Sequence, residues 1–292
     1  MYISALEGII LSIDKGGEQM KEEGLWQDNR TVEQIVDDMD LFDDDLMSVV
    51  FDDNIEATEL VLKIILKRDD IKVISVVGQR EFQNPVVGGR DIRLDILARD
   101  NEEKYYDIEV QKKPEGAHVR RARYNSSMMD ARMLKAGEKF SELRDSYMIF
   151  ITQTDIFGYE IPIYTANRYF EEIDAPFNDG SHIVYVNGSY KGEDEIGKLM
   201  HDFGCKESKD IYYLELAKGV KHFKEEEGGR KIMCEAVEKY AENYAERKRI
   251  DVLSETVTNL METMKLSAEQ AMSAIKVSES DRKMLMKRLQ KV

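Results

Sequence analysis
The chain predicts an α/β fold in which a small central sheet is flanked by helices and followed by a helical extension. Three observations predict it. Residues 91–111 alternate in the manner of two short strands joined by a polar turn. Helical apolar stripes stand on both sides of that hairpin, one beginning near Asp53 and one across residues 117–136. Beyond Arg230 the pattern is helical and strongly charged. These features divide the chain into an acidic segment at 1–40, a core at 41–217 and a helical extension at 218–292.

The first 40 residues are acidic and turn-prone, with Gly16-Gly17 as a break and room for a helix or two. A helix starts at Asp53 or Asn54, with Glu56 in its first turn and Leu60, Val61, Ile64 and Ile65 as its apolar stripe. Lys67 and Arg68 close it, where cations suit the negative end of the helix dipole. The β-branched run at 73–77 is a strand. A loop with Asn84-Pro85 and Gly88-Gly89 leads into the hairpin strands around Asp95 and Glu109. After Pro114-Glu-Gly116, Val119, Ala122, Ser126, Met129, Met133 and Ala136 recur along one side of a long helix. Arg121, Asn125, Arg132 and Lys135 line another side. Residues 147–152 form a short buried strand, with weaker ones at 161–164 and 182–186, the last ending on the turn Asn187-Gly188. The chain turns helical again after Lys209, Gly228-Gly229 forms a hinge, and Ser267-Ala-Glu-Gln270 opens a helix with a capping box. Ser278 or Ser280 caps a last helix carrying Met284, Leu285 and Leu289.

At 292 residues the length allows one large domain or two modest ones. No apolar run approaches the roughly 18 residues that a membrane span needs. Ile9-Ile-Leu11 follows Glu7 without a basic lead, a poor secretory signal. Cys205 and Cys234 lie far apart without metal-ligand spacing, and the four histidines are scattered, so reduced thiols in a cytoplasmic protein are expected. The net charge of −16 argues against indiscriminate adhesion to a phosphate backbone. Its distribution is uneven, however. Between positions 31 and 59 stand eleven acids and no Lys or Arg, whereas between 112 and 135 seven Lys or Arg face two acids.

The hairpin carries the chemistry. Asp107, Glu109 and Gln111 alternate with Tyr106, Ile108 and Val110, so the polar trio shares one face of its strand. With the turn centred near Asn101, Asp95 falls opposite Glu109, at a Cβ separation of about 4.5–5.5 Å for a facing pair. Two carboxylates at that range repel unless a cation lies between them. Oxygen ligands of this kind suit Mg²⁺ or Mn²⁺. Asp95, bracketed by Leu94, Ile96 and Leu97, has the least structural reason to be there. The plain alternative is an ordinary hairpin with one solvated face.

Arg93-Leu-Asp95-Ile, Asp107-Ile-Glu109-Val-Gln111, Arg120-Arg-Ala-Arg-Tyr124 and the stretch from Phe150 through Asp155 to Tyr164 together resemble the PD-(D/E)XK nuclease superfamily. More narrowly, they resemble the bacterial PD-(D/E)XK family transposases and their recombination-promoting relatives, over about residues 40–230. The resemblance implies a restriction-endonuclease-like core with a mixed sheet. It also implies metal-dependent hydrolysis of DNA phosphodiester bonds in a bacterial, mobile-element setting. Asp95 and Glu109 would then hold Mg²⁺ (or Mn²⁺), and a further ligand would come from the preceding helix, at Glu56 or Glu59. Gln111 replaces the lysine of the E-x-K position. Its amide can orient water or phosphate but cannot accept a proton at neutral pH. Arg120, Arg121 and Arg123 near a helix start, with Lys112 and Arg132, are the candidate DNA contacts. Against these roles stand plainer ones: Glu59 paired with Lys63, the arginines paired with the acidic 31–59 region, and Gln111 as a surface residue. A catalytically lapsed DNA-binding relative stays open on the same residues. So does a partner-binding protein acting through its C-terminal helices, which are also the candidate homodimer contact.

Overall fold
The computed structural model describes residues 30–289, residue 85 excepted. The expected break at Gly16-Gly17, the run at 9–11 and the proline of the Asn84-Pro85 turn lie outside the described residues. Two compact units emerge: Val36–Met233, and a second formed by the remainder from Cys234 on with the residues up to Ile35.

The first unit is built on a six-stranded mixed sheet in the order β1-β2-β3-β4-β8-β5. Its strands are β1 (Val73–Phe82), β2 (Ile92–Asp100), β3 (Tyr105–Gln111), β4 (Ser146–Thr152), β5 (Ile163–Ala166) and β8 (Ser181–Asn187). β6 (Tyr169–Phe170) and β7 (Ala175–Pro176) make a small ribbon of their own. β1, β2 and β3 pair antiparallel, β3, β4 and β8 parallel, and β5 returns antiparallel on β8. The parallel strands are buried on both faces, which is why β4 reads as a continuous apolar run rather than an alternating one. β3 is buried over its central five residues as well, despite carrying two carboxylates.

Helices α1 (Val32–Asp38), α2 (Asp44–Phe51) and α3 (Ile55–Leu66) precede the sheet. Asn54 caps α3 by accepting from the Ala57 N–H at 3.1 Å, as the sequence led one to expect. α2 packs on β1, β2 and β3, and α3 on β1. The crossover between the parallel strands β3 and β4 is α4 (Val119–Met133), which lies over β2, β4 and β8. It ends at Met133, a turn before the expected 136, because Leu134 is already extended. α5 (Glu195–Phe203), which the sequence reading did not anticipate, is started by Asp194, whose carboxylate accepts from Gly197 N–H.

α6 (Leu214–Glu225) lies within the first compact unit, Val36–Met233. Leu216 and Val220 are buried, and a Cβ on Gly219 would meet Val50 at 2.7 Å. Lys224, 4% exposed, donates to the carbonyls of Asp37, Met39 and Lys206 at 2.9, 2.5 and 2.6 Å. Lys224→Met is therefore expected to destabilise the protein by about 2–3 kcal/mol in urea unfolding, since the stem still packs but three carbonyls, that of Met39 in a buried bond, lose their donor. A loss below about 0.5 kcal/mol, the level of an ordinary surface change, would show that the ammonium is dispensable.

The expected hinge at Gly228-Gly229 is displaced. The break is at Glu226, with extended ψ of 135°, and both glycines sit in the first turn of α7 (Glu227–Met264). A Cβ at Gly229 would lie 2.2 Å from the His222 carbonyl, so glycine is what permits so tight a junction.

In the second unit, the later part of α7 packs with α8 (Ala268–Ala274) and α9 (Glu279–Leu289) through Ile250, Val257, Ala271, Met272, Val277 and Leu285. Ser267 and Gln270 form the expected reciprocal capping box, and Ser278, not Ser280, accepts from the Asp281 N–H at the start of α9. These apolar positions are satisfied within the chain, so they carry no signal for a second copy. No helix among the described residues is long and apolar enough to cross a membrane.

Candidate active site
The β1–β2 hairpin outruns the rest of the sheet, and this creates the site. β2 stays paired with β1 as far as Phe82↔Ile92, but its pairing with β3 ends at Ile96↔Ile108. Gln79 in β1, level with Asp95, adopts a left-handed conformation (φ 48°), which helps the hairpin diverge there. Asp95 is thus the first residue of β2 beyond its last pair with β3, at the register that would face Glu109. Its Oδ2 accepts the Val110 N–H at 3.2 Å, replacing the main-chain partner that the departing strand no longer supplies. Gln111 Nε2 approaches the same oxygen at 3.5 Å.

Asp107 and Glu109 sit on the face of β3 that pairs level with Met148 and Phe150 of β4, and α4 covers that face. Arg121 and Asn125, four apart on α4, meet Glu109 together. Arg121 Nη2 donates to Glu109 Oε2 at 2.5 Å, and Asn125 Nδ2 to Oε1 at 3.4 Å. Arg121 Nη1 also donates to Gln111 Oε1 at 3.3 Å and to the Gly116 carbonyl at 2.9 Å. A Cβ on Gly116 would stand 1.9 Å from Gln111 Oε1, so a larger residue there would push that amide out of its present place.

Three carboxyl groups are thereby confined together. Asp95, Asp107 and Glu109 are all buried, and among the described residues neither oxygen of Asp107 has a hydrogen-bond partner. Burial first, and then the negative charge of Asp44, pushes Asp95 up to about 7. Burial, then the charge of Asp95, pushes Glu109 up to about 8, with Arg121 pulling the other way. Asp107 is driven well above the usual carboxylate range by burial and by Glu109 and Asp95. The three groups cannot all stay ionised at ordinary pH without further positive charge, because Arg121 and Arg93 do not offset three buried carboxylates.

The remaining sequence candidates are distributed as follows. Glu59 accepts from Lys63 at 2.5 Å and from Val73 N–H at 3.0 Å, at the start of β1, by the hairpin turn and away from Asp95. Its i,i+4 partner accounts for it, and it is not brought to the cluster. Glu56 is exposed in the first turn of α3 and likewise stays apart. The helical acid whose charge does reach both Asp95 and Glu109 is Asp44, at the first position of α2, where it pairs with Arg93 at 3.3 Å. The sequence offered Asp43-Asp44-Asp45 only as part of an acidic block. Lys112 reaches Asp43 at 2.5 Å and Asp40 at 3.7 Å. Arg132 bonds the Gln83 carbonyl and lies over the Phe82 ring, a structural tie. Arg120 and Arg123 are exposed, whereas Arg121 turns inward. Tyr124 donates to the Arg90 carbonyl at 2.7 Å and so anchors the loop before β2.

The histidines and cysteines require one correction. His201, Asp202 and Cys205 do converge, with ligand-type atoms within 4.8 Å of one another. Asp202, however, is engaged by the Tyr212 and Tyr213 N–H groups, both at 2.8 Å, and burial pushes the Cys205 thiol up to about 11. The trio ties α5 to the segment that leads into α6.

The donor set at Asp95, Asp107 and Glu109 fits a hard dication. It is all oxygen, would carry surplus negative charge once ionised, and includes a buried carboxyl with no hydrogen-bond partner among the described residues. A mixed sheet covered by a crossover helix, with carboxylates at the mouth of a splayed strand pair, defines the restriction-endonuclease-like α/β class, here with C-terminal helices. Residues 52–187 match the family model for the PD-(D/E)XK nuclease family transposase. That segment spans every strand and all the residues of the carboxylate cluster. No curated protein and no solved structure matches the chain.

Proposed function
We propose that the protein is a Mg²⁺- or Mn²⁺-dependent DNA endonuclease of the transposase-like type. The observation that carries this reading is the buried carboxylate cluster, in which Asp107 has no hydrogen-bond partner among the described residues and Arg121 pairs directly with Glu109, with Arg93 acting on Asp95 alongside it. Asp95 and Glu109 would hold the ion, with Asp107 as a further oxygen source. A dication bound there supplies charge neutralisation at phosphorus and acidifies an attacking water. Gln111, fixed between Asp95 and Arg121, orients that water through its amide but cannot take its proton. Arg120 and Arg123, exposed in the first turns of α4, face backbone phosphates from the helix's positive end. Lys112, already paired with Asp43 and Asp40, contributes charge to the same rim.

A second reading, a DNA-binding relative that no longer cuts, is favoured by one feature: both oxygens of Glu109 are occupied by Asn125 and Arg121. Nicking of supercoiled plasmid at stoichiometric protein distinguishes them. The nuclease reading expects Mg²⁺-dependent nicking that Glu109→Gln abolishes. Plasmid binding with no nicking in Mg²⁺ or Mn²⁺ would establish the second reading. Nicking that survives in Glu109→Gln would remove this site from the chemistry.

A further inference from the structure
Glu109 is sealed from solvent, yet Arg121, the group on its outer oxygen, is 34% exposed. The Arg121 side chain therefore runs from the buried Glu109 carboxylate to the protein surface. Its guanidinium is held there by three acceptors on β3 and the turn after it: Glu109 Oε2, Gln111 Oε1 and the Gly116 carbonyl. Its carbon stands 5.9 Å from the Phe150 ring centroid, a soft contact with no directional hold. Everything that fixes Arg121 is thus on the site's rim, and the strongest of those contacts is with a metal-ligand candidate.

We infer that Arg121 is an exchangeable counter-cation: it occupies Glu109 in the ion-free protein and has to leave that oxygen when a divalent cation loads. The inference rests on the site reading above. Two cations that need one carboxylate oxygen are negatively coupled ligands, so each weakens the other. Arg121 accordingly stabilises the empty site and lowers its affinity for the ion. Once displaced, the guanidinium is still tethered by α4 at the mouth of the cluster, beside exposed Arg120 and Arg123. A phosphate diester is the anion that such a planar, two-pronged donor matches. Loading of the ion and capture of the substrate phosphate are then linked through one side chain, which acts as a positioning residue.

The test is Mn²⁺ binding to the full chain by calorimetry, together with thermal unfolding with and without Mn²⁺, for the wild type, Arg121→Gln and Arg121→Lys. Arg121→Gln is expected to bind Mn²⁺ about tenfold more tightly. It should melt lower than the wild type when ion-free and regain that difference in saturating Mn²⁺. Arg121→Lys, which keeps the charge but loses the two-pronged contact, should fall between. Unchanged or weaker Mn²⁺ affinity in Arg121→Gln, with a melting loss that Mn²⁺ does not recover, would show Arg121 to be a fixed structural element and overturn the inference. Asp95→Asn in the Arg121→Gln background separates the two levels of argument. Its retention of tight Mn²⁺ would place the ion elsewhere and refute the site reading itself, as would absence of Mn²⁺ binding in every variant.

Discussion

Asp95→Asn is expected to reduce Mg²⁺-dependent nicking by roughly a thousandfold or more, since the lost carboxylate removes several kcal/mol of transition-state charge stabilisation. The substitution is nearly isosteric and keeps an oxygen that can accept the Val110 N–H, now made by Asp95 Oδ2 at 3.2 Å. The divergence of β2 from β3 should therefore survive, and a fall in activity would report lost charge, not lost fold. Without ion and above about pH 8, where the cluster is forced to ionise, the same variant should melt higher than the wild type, because one of the three buried carboxyls can no longer become charged. Loss of activity with raised ion-free stability is the signature of a carboxylate kept for a ligand. Loss of activity with a lower melting point would instead mark Asp95 as a strand-end cap, and full retention of activity would remove it from the mechanism.

Much of the arrangement of these candidate residues is legible in the sequence alone. The i, i+2, i+4 alternation of Asp107, Glu109 and Gln111 fixes a common face whatever the tertiary context, and the turn length sets Asp95 against Glu109. The helical spacing also put Arg121 and Asn125 on one side of α4, and that side is the one that meets Glu109. Other features could not be read from local pattern. Asp44 reaches the cluster only because α2 packs across β1, β2 and β3, a long-range contact with no sequence signature. Glu59 was drawn aside by Lys63 and the exposed main chain of Val73, local partners whose pull outweighed an analogy of position. α5 and the inclusion of α6 in the core unit were hidden for the same reason. Both depend on burial against α2 and α3, with Lys224 reaching back some 180 residues to the carbonyls of Asp37 and Met39.

Stability in the absence of divalent ions is expected to fall as pH rises from about 5 to 8.5. Asp95 and Glu109 titrate near 7 and 8 in the folded protein against ordinary values of 3.8 and 4.5. Across that interval the folded state retains protons that the unfolded chain has released. Stability therefore declines with increasing pH, with a total on the order of several kcal/mol for two groups so displaced. Asp45, raised to about 6 by burial and then by Asp44, adds to the same slope. Carboxylates lowered by their partners, such as Glu59 beside Lys63 and Asp155 beneath Tyr164, act in the opposite sense, but only as pH falls through the usual carboxylate range. The window from 5 to 8.5 thus isolates the raised groups. Saturating Mg²⁺ favours the ionised cluster, so its stabilising effect should be small at pH 5 and greatest above pH 8. Thermal unfolding across this range, with and without Mg²⁺, measures both trends, and the Asp95→Asn, Glu109→Gln double variant controls for the general increase in negative charge. A melting point that is flat or rising from pH 5 to 8.5 without ion would mean that the carboxylates are already compensated. In that case the cluster would have no unmet demand for a dication, and the proposed metal site would lose its physical basis.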